Sequence, residues 1–237
     1  MEENNANIYD TFSRLVEKTL TDDGDLFNAA MSIPQLTKED QLFVESNSSS
    51  DSFIDTTKST NPIMVTNGFI CTAIILLDTI KSSSNNLVRD SYIFPALFCF
   101  RHYLELTMKK SIIKFSLSIS NNGDTNQNDN LRTHTLGKLW AELKKYIDYI
   151  DDEVDNVDRL IKEFIKYDSD GTQFRYDYEL NSLLATKQQK NLKKDQLPLH
   201  CLYDIDNLKT RFLQLYRFFE GIEDLAYIAY DNSNQES

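Results

Sequence analysis

The stretch from Phe94 to Lys110 is apolar enough to form a buried helix, yet Arg101, His102 and Glu105 interrupt it. Burying an Arg and a carboxylate costs several kcal/mol unless the two are paired and hydrogen-bonded. Arg101 and Glu105 are four positions apart, so their side chains share one helix face and can pair. His102 sits on the neighbouring stripe. Two readings follow. One is an Arg–His–Glu cluster in a cleft, with Arg holding an anionic group and His acting as acid or base. The other is a structural ion pair with His102 hydrogen-bonded at its edge.

The remaining pattern is helical. Glycine (6) and proline (4) are scarce, which leaves little material for the turns of a many-stranded sheet. Helical periodicity predicts an N-terminal amphipathic helix over about 7–20, a core helix over 61–81, and a long helix over 88–118 that Pro95 kinks or restarts. Further helices are predicted over 134–150, 153–167 and 204–230. Residues 21–61 are polar and turn-rich, and read as an irregular arm. The predicted organisation is therefore a helix and arm over 1–61, an all-α bundle over 62–230 and a disordered tail over 231–237.

Composition limits the function. With 25 basic and 37 acidic residues the net charge is −12, so no global positive field draws nucleic acid, although local basic patches remain open. Cys71, Cys99 and Cys201 are few and set among apolar neighbours, as buried free thiols of a reducing cytoplasm would be. The acidic start Met1-Glu-Glu-Asn-Asn lacks the basic region of a signal peptide, and the uncharged run 63–77 is short for a membrane span. A cytoplasmic location, with no membrane, metal or cofactor, is expected. The sequence contains no CxxC pair, HExxH, GxSxG, Walker loop or GxGxxG.

Three further places can carry chemistry. His134 opens a helix after a polar loop and can meet His102 across the helix pair, or simply cap and pack. Arg175 lies between Phe174 and Tyr176, suited to stack a base or grip a phosphate, or to clamp a loop on the bundle. Lys187 and Lys190 belong to the one long basic cluster, 187–194, which is a phosphate contact or a solvated loop. Phe218 and Phe219 are adjacent on the last helix and, with Tyr216, Tyr227 and Tyr230, spread aromatic surface over more than one face, so one face is expected in the core and the other to leave an apolar patch.

The order Phe-Pro-Ala-Leu-Phe-x-x-Arg-His-x-x-Glu-Leu-x-x-Lys, then His134-Thr-Leu-Gly-Lys-Leu-Trp140, then Phe174-Arg-Tyr176, resembles bacterial HEPN-like helical proteins over about 62–228. The resemblance implies a bundle of four or five helices, dimerisation, and membership of antiviral defence or toxin–antitoxin systems. Many members are metal-independent ribonucleases that carry an Arg followed four to six residues later by a His. No histidine here, neither His102, His134 nor His200, has an Arg at that offset. Cleavage would need another constellation, such as Arg101, His102, Glu105 and His134. The expected role is binding or assembly, as a homodimer or with a helical protein partner or RNA. A non-standard ribonuclease and a nucleotide or small-molecule sensor are the alternatives.

Overall fold

The computed structural model describes residues 62–119, 131–147, 153–168, 171, 174 and 202–235. These form five helices and no strand: α1 (Pro62–Ser82), α2 (Asn86–Ile119), α3 (Leu136–Ile147), α4 (Glu153–Tyr167) and α5 (Ile205–Gln235). The described part of the chain is an all-α helical bundle. The N-terminal arm lies outside the described residues.

Local chemistry sets the helix ends. Asn85 caps α2 by accepting a 2.8 Å hydrogen bond from the Leu87 amide through Oδ1, which turns the chain back after α1 within three residues. Asp204 caps α5 the same way, its Oδ1 accepting from the Asn207 amide at 3.1 Å. Glu153 and Asp155 in the first turn of α4, with Lys166 in its last, complement the helix dipole.

Pro95 neither stops nor restarts α2, which runs unbroken from Asn86 to Ile119. Pro95 itself is exposed, at a position where the proline ring deprives the Ser91 carbonyl of its helical donor. At the other end of the chain, α5 continues to Gln235, and residues 231–235 are helix rather than tail.

Helix α2 is the central element, packed against α1, α5 and α3. Helix α1 also touches α5, and α3 touches α4. The core is aromatic along α2 and α5. The ring of Phe100 stacks on Phe212 at 3.5 Å between centroids, and Phe164 of α4 meets Phe100 edge-on. Trp140 stands edge-on to both Phe218 and Phe219. Both of those phenylalanines are buried, while Tyr227 of the expected aromatic surface is exposed beside Ile228. Trp140 from α3 fills the angle between the two phenylalanines.

Helix α1 also departs from expectation. Ile70, Ala73, Leu77 and Ile80 enter the core, but Met64, Val65, Cys71 and Ile75 face outward. Cys99 is buried as expected, Cys71 is exposed, and Cys201 lies outside the described residues. Among the described residues one helix stretch, Met64–Ser82, is long and apolar enough to cross a membrane, and its inner side is committed to the bundle core.

Candidate functional site

The centre of α2 places Arg101 and Glu105 where the chain between α2 and α3 and the end of α4 converge. Arg101 is fully buried and Glu105 is 2% exposed. The Arg101 Nη1 donates to Glu105 Oε2 at 3.0 Å across one helical turn. Its Nη2 donates to the backbone carbonyl of His134, and its Nε pairs with Asp168 Oδ2 at 3.0 Å. Each guanidinium nitrogen is thus engaged by a different segment of chain.

One face of the guanidinium is closed as well. Gly171, buried and in the left-handed region at φ 82°, lies directly against it. A methyl group there would stand 2.7 Å from Arg101 Cζ and 2.9 Å from both Nη atoms, which puts the glycine over the middle of the plane. Only a residue without a side chain fits that space and that backbone conformation.

Glu105 is the second hub. Its Oε1 receives Lys109 Nζ and His134 Nδ1, each at 2.8 Å. Burial alone would raise the Glu105 carboxyl, but hydrogen bonds from Lys109, His134 and Arg101 outweigh it and hold the group below the usual carboxylate range. An ionised carboxylate only accepts hydrogen bonds, so His134 carries a hydrogen on Nδ1, and Nε2 is the ring nitrogen left outside this pair. The His134 side chain is 67% exposed, so this nitrogen is open to solvent.

His102 does not join this arrangement through its ring contacts. It sits edge-on to Phe69 of α1 at 4.4 Å and parallel to Phe98 at 6.1 Å, in the seam between α1 and α2. His134 instead belongs to the Arg101–Glu105 cluster. The ring contacts of His102 are thus with α1 and its own helix, and the hydrogen bond of His134 is with Glu105.

Arg175, Tyr176, Lys187 and Lys190 lie outside the described residues. The approach to them is visible at Phe174, which packs edge-on against Phe164 at 5.9 Å. Three members of the cluster are absent from the sequence reading: Lys109, Asp168 and Gly171. Lys109 had a signal, since it continues the i,i+4 row of Arg101 and Glu105. Asp168-Ser-Asp-Gly171 has the composition of a turn, but nothing local says which buried charge it covers.

A second polar knot ties α3 to α4. Asp158 accepts from Trp140 Nε1 at 2.8 Å and pairs with Lys144 at 2.7 Å and Lys162 at 2.5 Å. Burial again pushes the carboxyl up, and the bonds from Lys144, Lys162 and Trp140 bring it well below its ordinary value. Among the described residues no group of three or more His, Cys, Asp or Glu side chains is close enough to hold a metal ion. No known protein family matches the sequence, and no curated protein or solved structure matches it.

Proposed function

We propose that this protein is a HEPN-like component of a bacterial antiviral-defence or toxin-type system, acting in the cytoplasm mainly by binding and assembly. The observation that favours binding and assembly over a phosphate grip is the burial of Arg101 among partners of its own chain. A residue that grips a substrate phosphate must be reachable, whereas Arg101 is fully buried, donates to Glu105 and the His134 carbonyl, forms an ion pair with Asp168 and has a glycine on its face. It fastens three segments of the chain together and so positions whatever surface they present. A sensor that held a phosphate would use Arg101 and Arg175; the first is buried among its own partners, and the second lies outside the described residues.

A second reading is favoured by one specific arrangement. His134 is oriented through Nδ1 by a buried carboxylate and presents Nε2 to solvent, which is the geometry of an acid–base histidine. In a metal-independent ribonuclease, Nε2 would take the proton of an attacking 2′-hydroxyl.

RNA incubated with the purified protein separates the two. Retention of intact RNA, or binding without cleavage, supports assembly. Cleavage that disappears in a folded His134→Ala variant overturns it in favour of the ribonuclease.

A further inference from the structure

We propose that His134 is a phosphoryl-acceptor site, its Nε2 taking a phosphoryl group from a phosphoramidate (P–N) donor while Lys109 receives the phosphoryl oxygens. This role goes beyond the assembly and ribonuclease readings and rests on neither. The way His134 is held points to it. Arg101 Nη2 donates to the His134 carbonyl, and Glu105 Oε1 accepts from Nδ1 at 2.8 Å, so two buried side chains of α2 fix this residue at both backbone and ring. Yet the side chain they fix is 67% exposed.

Stability does not account for this. Glu105 already has Arg101 Nη1 and Lys109 Nζ as donors, and an exposed imidazole adds little to a network that those two satisfy. Holding a surface ring in one orientation costs side-chain entropy, and what it gains is a fixed direction for Nε2. With a hydrogen on Nδ1, the neutral form of the ring carries its lone pair on Nε2. A carboxylate on the opposite nitrogen raises the basicity of that lone pair and offsets the positive charge that develops on the ring as Nε2 forms a bond.

Lys109 selects the electrophile. Its Nζ meets the same Glu105 Oε1 at 2.8 Å, so the ammonium and the imidazole are neighbours across one oxygen. An ammonium has three donors, and the Lys109 side chain is 19% exposed, which lets it meet an anion arriving beside the ring. On a chain of net charge −12, an anionic phosphoryl group needs such a local cation to approach. Phosphoryl transfer asks of a protein chiefly positioning and charge stabilisation, and the pair supplies both. In the transfer, the Nε2 lone pair forms the new N–P bond. The P–N bond of the donor breaks, and its electron pair leaves with the donor nitrogen, which is protonated beforehand and departs as a neutral amine. The hydrogen on Nδ1 stays against Glu105, so no other side chain has to give or take a proton.

The test incubates the folded full chain with potassium phosphoramidate near neutral pH and follows intact mass, phosphorus NMR and peptide mapping. One phosphoryl group should appear on His134, on Nε2 and not on Nδ1, and its bond should survive alkali and break in acid. Labelling of His134 should be faster by about tenfold or more than labelling of His102 or His200, and than its own labelling in the urea-unfolded chain. His134→Ala should abolish it. Lys109→Gln, which keeps a donor for Glu105, should slow it about tenfold with an unchanged circular dichroism spectrum. If Lys109→Gln does not fold, the comparison of folded with unfolded wild type and the choice of ring nitrogen decide. Equal rates in the folded and unfolded chain, a phosphoryl group on Nδ1, labelling led by His200, or a folded Lys109→Gln that reacts at the wild-type rate would overturn the proposal.

Discussion

Gly171 lies flat against the guanidinium of Arg101, so close that a methyl group in its place would stand 2.7 Å from Cζ. The guanidinium cannot retreat, because Glu105, Asp168 and the His134 carbonyl hold its three nitrogens. Gly171→Ala therefore combines a left-handed backbone with a clash against a fixed group. It should destabilise the protein by about 2–3 kcal/mol, on the scale of a strained backbone plus forced displacement. Gly221→Ala is the matched control: it sits in the interior of α5 with open space around it and should stabilise by about 0.5–1 kcal/mol. Urea unfolding midpoints decide both, and a neutral Gly171→Ala would mean that the clamp is not tight.

Removing one partner of the central pair should cost far more than a surface ion pair. Glu105→Ala leaves Arg101 buried without its α2 partner and should lose about 3–5 kcal/mol. Arg101→Lys should also be poorly tolerated, since a single ammonium cannot serve three partners held in a guanidinium fork. A chemical denaturation curve for Glu105→Ala within about 1 kcal/mol of wild type would contradict the buried-network account.

His134→Ala should behave differently. The Arg101 bond goes to the His134 backbone carbonyl and survives the substitution, and Glu105 keeps Arg101 and Lys109 as donors. Because the imidazole is largely exposed, the loss should stay at or below about 1 kcal/mol. This separation makes His134→Ala a clean probe of activity, and a collapse of the fold in that variant would remove its value as one.

Acid should unfold the protein through Glu105 and Asp158. Both carboxyls are held below their ordinary values by hydrogen bonds and nearby lysines. Their folded forms give up protons more readily than the unfolded chain, so their contribution is complete above the unfolded values of roughly 4 and is lost as pH falls through the folded ones. Glu220 runs the other way: burial, reinforced by Glu223, raises its carboxyl, so its contribution declines as pH rises through the folded value. Thermal midpoints followed downward from pH 5 should fall, and Asp158→Asn should flatten that decline. An unchanged slope in the variant would exclude Asp158 as a contributor.

Much of the architecture was legible because helix periodicity and apolar content are local properties. The five helices fall where the spacing predicts them, Arg101 and Glu105 pair because α-helical geometry places positions four apart on one face, and the all-α class follows from the shortage of turn residues. Local reasoning misjudged the ends and the faces. Pro95 could not be weighed without knowing that it faces water, and the burial of both Phe218 and Phe219 depends on Trp140 from another helix.

The sequence by itself determined that an apolar helix would carry a buried Arg and Glu and that the two could satisfy each other, because their spacing is a covalent fact of one helix. Only the tertiary structure decided that this pair is a junction. Asp168, Gly171 and the His134 carbonyl reach Arg101 from segments distant in sequence, and His102 is turned instead toward Phe69. The physical reason is that hydrogen-bond and steric complementarity act over a few ångströms in space, whatever the separation along the chain, and the packing of α2 against its neighbours sets which groups come within that range.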